Sequence, residues 1–150
     1  MIHSHNVFNY PSPQHPARME PYIIKLPRYL DTRGNLSFIE EDTHLPFKIR
    51  RVYWIYDVPG GEIRGGHAFR QTEELIVGLS GSFEVVLHNG YKEFRYLLNR
   101  SYYGIYVPKM IWRMLDNFST NSLALIIAST EYFDADYIRD FEEFRELCTE

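Results

Sequence analysis

Between Gly61 and Gly81 the chain reads Gly61-Glu-Ile-Arg64-Gly-Gly-His67-Ala-Phe69-Arg-Gln-Thr-Glu73-Glu74-Leu-Ile-Val-Gly-Leu-Ser-Gly81, bringing an imidazole, two guanidinium groups and adjacent carboxylates into one short stretch. Imidazole is the side chain whose ordinary pKa suits it to take and return a proton near neutral pH. Along a strand, residues two apart face the same side, so His67 and Phe69 share a face while Glu73 and Glu74 take opposite ones. One of those two carboxylates is then a solvated strand residue. The opposing reading for His67 is a core histidine whose neighbour Phe69 marks a packed interior. Arg33, in Asp31-Thr-Arg33-Gly34, has the fork that grips phosphate oxygens in pairs, or forms a turn with Asp31. Tyr53 shares a face with residue 55, and Trp54 shares the other with Tyr56; either face offers aromatics on which a base or sugar could stack, or core packing. Met1-Ile2-His3 with a free amine is a possible adventitious copper or nickel site, but a polar tail is the simpler reading.

The elements that must position these groups follow from composition. The 150 residues and 17.9 kDa suit one domain, and 45% hydrophobic against 24% charged residues can bury a core. Twelve Tyr and ten Phe favour pleated sheet and pockets over a helical bundle. Sixteen basic against twenty acidic residues, a net charge of -4 and no polybasic block argue against nucleic acid as a partner. The single Cys148 excludes an intramolecular disulfide and a Cys-based zinc site, and suits a reducing compartment. No apolar run nears the roughly 20 residues of a membrane span, and the first residues lack a signal-like apolar region, so a cytoplasmic protein is expected.

Residues 1–20, rich in His and Pro, read as a flexible arm, and 21–150 as the domain. Short apolar runs recur at Tyr22–Leu26, Leu36–Glu40, Ile49–Val58, Glu74–Leu79, Ser82–Leu87, Glu93–Leu98, Gly104–Val107 and Leu123–Ser129, separated by turn signals. Such spacing predicts an antiparallel sandwich or barrel. The plainest hairpin joins Ser82–Leu87 to Tyr91–Leu98 through His88-Asn89-Gly90. Ile138, Phe141, Phe144 and Leu147 step by three, predicting a C-terminal helix with Asp134 and Asp136 near its start.

The Gly61–Gly81 stretch resembles the first cupin signature, a Gly, a His-x-His pair, a Glu and a Gly at fixed spacing across two strands, with a looser second signature at Gly104, Pro108, Met110, Arg113 and Asn117. The resemblance implies an all-β, cupin-like jelly-roll barrel with positions 67, 69, 74 and 113 facing inward, where four donors could share a metal. Here they hold His67, Phe69, Glu74 and Arg113, so two ligands are replaced by an apolar ring and a fixed cation. A metal-free barrel is expected. Of the six histidines, His3, His5 and His15 lie on the arm and His44 and His88 in turn-like polar contexts, leaving His67 as the inward imidazole, with Arg64 close by.

Over about residues 22–147 the chain is similar to the sugar 3,4-ketoisomerases, cupins that move the keto group of a thymidine-diphosphate-linked 4-keto-6-deoxyhexose from C4 to C3. The matching stretches are Leu30-Asp-Thr-Arg-Gly-Asn-Leu, Leu45-Pro-Phe-Lys-Ile-Arg-Arg-Val-Tyr-Trp-Ile-Tyr-Asp, Arg64-Gly-Gly-His-Ala, Ile76-Val-Gly-Leu-Ser-Gly-Ser, Gly104-Ile-Tyr-Val-Pro with Trp112, and Ala128-Ser-Thr-Glu-Tyr-Phe-Asp-Ala-Asp-Tyr-Ile-Arg-Asp-Phe. The resemblance implies tautomerisation through an enediol without metal or redox cofactor, in deoxy- or aminosugar synthesis for surface polysaccharide. It makes His67 and Arg64 the catalytic candidates and Arg33, Tyr53, Glu74, Trp112 and Arg113 the substrate-binding ones. It also implies a homodimer, with strands around Tyr22–Leu26 pairing across the interface. Two positions depart from the family pattern: Phe69 stands for its second histidine and Arg113 for a histidine after the Trp. These departures leave two alternatives, a sugar-nucleotide-binding cupin that has lost catalysis and a cupin epimerase acting at other sugar carbons.

Overall fold

A computed structural model describes residues 20–149, so the N-terminal arm, apart from Glu20, and the metal-binding possibility at His3 lie outside the described residues. The chain folds as two five-stranded antiparallel sheets, the jelly-roll arrangement expected from its short strands. The strands are β1 (Tyr22–Lys25), β2 (Arg28–Tyr29), β3 (Leu36–Ser37), β4 (Arg51–Tyr56), β5 (Arg64–Phe69), β6 (Glu74–Ser80), β7 (Phe83–His88), β8 (Glu93–Leu98), β9 (Tyr103–Val107), β10 (Trp112–Asp116), β11 (Leu123–Ala128) and β12 (Tyr137–Ile138). One sheet runs β1-β9-β6-β11-β4 and the other β12-β5-β10-β7-β8, with β2 and β3 a separate ribbon.

Period-2 alternation sorts the side chains into three apolar layers. Ile76, Ile105, Val107, Ala124 and Ile126 of one sheet meet Phe83, Val85, Leu87, Leu98 and Leu115 of the other to fill the barrel. The outward residues Leu75, Val77, Tyr106 and Ile127 are covered by Ile24, Leu26, Leu45 and Phe47 from the N-terminal third. A one-turn helix, α1 (Glu41–His44), precedes β4, and on the far face Ala68, Trp112 and Ile138 lie under Phe144 and Cys148 of a C-terminal helix, α2 (Phe141–Cys148). Trp54 and Tyr56 are the outward residues of β4 and remain 58% and 61% exposed, while Tyr53 and Ile55 turn inward, the division that alternation predicts.

The β7–β8 hairpin forms as expected, Phe83 opposite Leu98 and His88 opposite Glu93. Its turn is held by the Asn89 side chain, which accepts from the backbone of Tyr91 (2.9 Å) and Lys92 (2.8 Å). Gly90 follows at φ +99°, where a Cβ would lie 2.7 Å from that of Cys148.

The C-terminal helix is shorter than its three-residue periodicity suggests. Ile138 belongs to β12 and pairs with Ala68, Asp134 and Asp136 form a 3-10 turn before it, and Asp140 caps the helix by accepting from the Glu143 amide (2.8 Å). The physical reason is that the buried Asp136 carboxylate is already committed to the β5–β6 turn, accepting from the Gln71 amide (2.7 Å) and the Thr72 hydroxyl. His44 and His88 are not in open turns: His44 is buried with its Nδ1 accepting from the Glu40 amide (2.8 Å), and the His88 ring packs on Phe141 while its Nδ1 accepts from the Gly90 amide (3.0 Å). β1 pairs with β9 of its own chain, Tyr22 opposite Tyr106, and its other edge carries no strand among the described residues.

Candidate active site

Arg113 and His67 are register partners on β10 and β5, so both side chains point into the barrel from adjacent strands. Glu74, at the start of β6 in the opposite sheet, meets Arg113 across the interior. The guanidinium grips the carboxylate twice, Nε to Oε2 at 2.6 Å and Nη2 to Oε1 at 3.1 Å. Nη2 also donates to the Tyr53 hydroxyl at 2.6 Å, and that hydroxyl donates onward to Glu74 Oε1. All three side chains are turned inward, and the Arg113–Glu74 pair is 2% and 1% exposed. Burial works against the charged guanidinium, yet the neighbouring Glu74 and Tyr53 outweigh it and hold Arg113 protonated above its ordinary value. Burial raises the Tyr53 phenol far above the usual range, so Tyr53 stays a neutral bridge.

A backbone irregularity beside this triad is required by space. The β5–β10 register slips between Arg113 and Met114, and Gly65 sits at φ +93° where a Cβ would lie 3.0 Å from Arg113 Nη1 and 3.1 Å from the Arg113 carbonyl. Only glycine lets β5 pass so close to the guanidinium. Beyond the slip Arg64 stands opposite Leu115, solvent-exposed and without an ion pair among the described residues. It edges an open groove of about 450 Å3 lined also by Trp54, Tyr56 and Ile63.

His67 itself packs edge-on to Phe69 (centroids 4.7 Å apart) and against Tyr137 (4.8 Å), and its Nε2 is buried with no hydrogen-bond partner among the described residues. Desolvation, then the Arg113 charge, push its pKa down to about 3; the Gly65 backbone pulls the other way, and Arg139 and Arg51 add to the depression. The imidazole is therefore neutral at physiological pH, and its Nε2 is not occupied by any hydrogen bond among the described residues.

The site brings together His67, Tyr53, Glu74 and Arg113, and it changes what two of them can do. Glu74 and Arg113 were expected to face a substrate, but each serves the other, because a lone buried charge is far more costly than a paired one. Glu74 is fully buried. Trp112 is not in the site: alternation on β10 puts it on the outer face, beneath Phe141 (5.2 Å) and Phe144 (5.8 Å) of α2. Arg33 is not there either. It lies in the turn between β2 and β3, 88% exposed at the side chain and paired with Asp31 through Nε (3.0 Å) and Nη2 (2.8 Å), the turn reading of that motif.

Three residues near His67 were missed by the sequence reading. Arg51, inward on β4, lies 5.3 Å from the Tyr53 ring centre and 5.7 Å from that of Tyr132, with its buried Nε unpartnered. Tyr137 stands opposite Phe69 on β12, with the Arg139 guanidinium 4.3 Å over its ring. The one signal available was Arg51's place two residues before Tyr53 on the same strand.

These residues do not fit a metal ion. The one inward carboxylate is bound to a guanidinium, Phe69 supplies no donor, and among the described residues no three His, Cys, Asp or Glu side chains converge. What the arrangement can do is move protons: a neutral imidazole and the Tyr137 phenol stand side by side with the Arg113, Arg51 and Arg139 charges near them.

Residues 19–149 match the family described as FdtA: WxcM-like, C-terminal. The TDP-4-oxo-6-deoxy-alpha-D-glucose-3,4-oxoisomerase of Aneurinibacillus thermoaerophilus is 37% identical over 127 residues, 85% of this chain and 91% of that protein. A 3,4-ketoisomerase from Helicobacter canadensis superposes with a TM-score of 0.85 at 34% identity, over 89% of this chain and all of that one. The sugar 3,4-ketoisomerase QdtA of Thermoanaerobacterium thermosaccharolyticum, solved with TDP, gives 0.84 at 29% identity over 86% and 94%.

Proposed function

This chain belongs to the WxcM-like, C-terminal family of its ketoisomerase relatives, and on that premise we propose that it is an isomerase moving the keto group of a TDP-linked 4-keto-6-deoxyhexose between C4 and C3. The observation that carries this reading is the neutral, unpartnered His67 imidazole inside a barrel whose donors do not fit a metal. Removing the proton from C3 and returning it to C4 needs a base that stays uncharged until substrate arrives, and cations that stabilise the enediolate oxygen. His67 is the base in this reading. Arg51 and the exposed Arg64 supply cations for the diphosphate, which in turn offsets the field that weakens His67 as a base. Tyr53, Glu74 and Arg113 hold one another and fix the positive charge beside the imidazole.

Turnover of TDP-4-keto-6-deoxyglucose in deuterated water is the direct test. The expected product carries its keto group at C3, read by NMR, with deuterium at C4 in the fraction of turnovers in which the His67 proton exchanges with solvent before it is delivered. Tight binding with neither migration nor label would leave a sugar-nucleotide-binding cupin instead.

A second expectation concerns metal. The purified protein should contain no stoichiometric transition metal, and chelators should leave its melting temperature unchanged. About one equivalent of metal per chain in elemental analysis overturns this. The reading also includes a homodimer, supported by the open β1 edge and the exposed Tyr22 and Ile23 on it, since an uncovered edge favours strand pairing between chains.

A further inference from the structure

Isomerisation by an enediol moves two protons. One leaves C3 and arrives at C4; the other leaves the C3 hydroxyl and arrives at the C4 oxygen. A single imidazole serves the carbon pair, and Phe69 can serve nothing. We propose that Tyr137 carries the second proton, as a catalytic acid–base residue that this chain uses beside His67; the proposal rests on the ketoisomerase reading above.

The geometry singles out Tyr137 among the phenols nearby. It stands opposite Phe69 in the β5–β12 register, so its side chain shares the inward face with Phe69 and His67. Its ring lies 4.7 Å from that of Phe69 and 4.8 Å from that of His67, so the phenol stands beside the imidazole. That hydroxyl makes no hydrogen bond among the described residues. The Tyr53 hydroxyl, by contrast, is taken by Glu74 and Arg113, and that of the exposed Tyr132 lies 3.4 Å from Asp134. Tyr137 is also held firmly. The preceding residue, Asp136, is tied to Gln71 and Thr72 through its side chain and to the Arg70 amide (2.9 Å) through its carbonyl. Arg139 covers the ring face at 4.3 Å.

The step balances without a co-reactant. His67 removes the C3 proton, the C3–H electron pair forms the C3=C4 bond, and the C4 carbonyl oxygen takes the Tyr137 hydroxyl proton, giving the enediol. His67 then delivers its proton to C4, the C3–O bond becomes the carbonyl, and the C3 hydroxyl proton returns to Tyr137.

Tyr137→Phe keeps the ring and removes the proton carrier. Turnover should fall about a hundredfold, the usual scale for an acid–base group, with KM and melting temperature near the parent's. Deuterium from solvent should still wash into C3, because His67 can form and reprotonate the enediolate. A folded variant with parental turnover overturns the proposal, as does one in which C3 exchange vanishes together with turnover. Should Phe disturb folding, 3-fluorotyrosine at position 137 gives a near-isosteric, more acidic phenol. The alkaline limb of kcat should then move to lower pH, and an unmoved limb overturns the assignment. A parent that binds TDP-sugar but neither exchanges nor isomerises it overturns the ketoisomerase reading itself.

Discussion

Replacing His67 by Asn is expected to lower turnover of the TDP-linked keto sugar by a hundredfold or more while leaving its binding intact, since the amide fills part of the imidazole's space but cannot carry a proton at neutral pH. The wild-type pH profile is the companion result. Burial and then the Arg113, Arg139 and Arg51 charges hold the imidazole at a pKa of about 3, so kcat/KM, which reports the free enzyme, should show no acidic limb near pH 6.5. Stability should show what activity does not. Below about pH 6.5 the unfolded chain binds a proton at this histidine and the folded one does not until about pH 3, so the folded state loses free energy as pH falls through that window. Between pH 7.5 and pH 5 the parent should lose up to about 2 kcal/mol relative to His67→Asn, read by urea unfolding of both proteins at both pH values. A constant gap would mean that His67 is solvated and charged, and its role as a neutral base would fall with it. Undiminished turnover in the Asn variant would remove that role directly.

How far the sequence foretold this site depends on which force decided each residue. Strands whose apolar side chains alternate, such as β4, β6, β7 and β11, were legible because packing between two sheets imposes that alternation. β2, β5, β10 and β12 were not among the runs read as strands. Arg64-Gly-Gly-His-Ala-Phe has two glycines where a strand normally carries branched side chains: Gly65 passes within a Cβ's reach of Arg113, and Gly66 takes a positive φ of +71° in open space. Two-residue β12 has too few positions to show a period, and its Ile138 happened to extend the helical spacing of Phe141, Phe144 and Leu147.

At the site, the spacing of His67, Glu74 and Arg113 was readable, but their partnership was not. Spacing says which way a side chain points, whereas the pairing of Arg113 with Glu74 follows from the cost of leaving either charge alone in the core. The same limit explains Trp112. Its neighbour in sequence is the inward residue, so Trp112 itself must face α2.

That pairing gives the largest expected change in stability. Glu74→Leu leaves the Arg113 guanidinium buried with only the Tyr53 hydroxyl to meet it, and Arg113→Met leaves the carboxylate in the same position. Breaking a buried pair from one side typically costs about 3–5 kcal/mol, a large part of an ordinary domain's stability of about 5–15 kcal/mol. The double variant Glu74→Leu/Arg113→Met removes both charges and fills the volume with apolar groups, so it should recover most of what either single variant loses. Urea unfolding of the four proteins measures the coupling, and additive losses would show that the two side chains do not depend on each other in the folded state. The double variant also isolates what the pair does for the imidazole. With Arg113 gone, the strongest charge acting on His67 disappears, its pKa climbs back toward the ordinary value, and the acid loss of stability assigned to it shrinks. A pair whose removal leaves the fold standing but lets His67 charge more readily is one retained for the electrostatics of the site, since hydrophobic replacements can supply the stability.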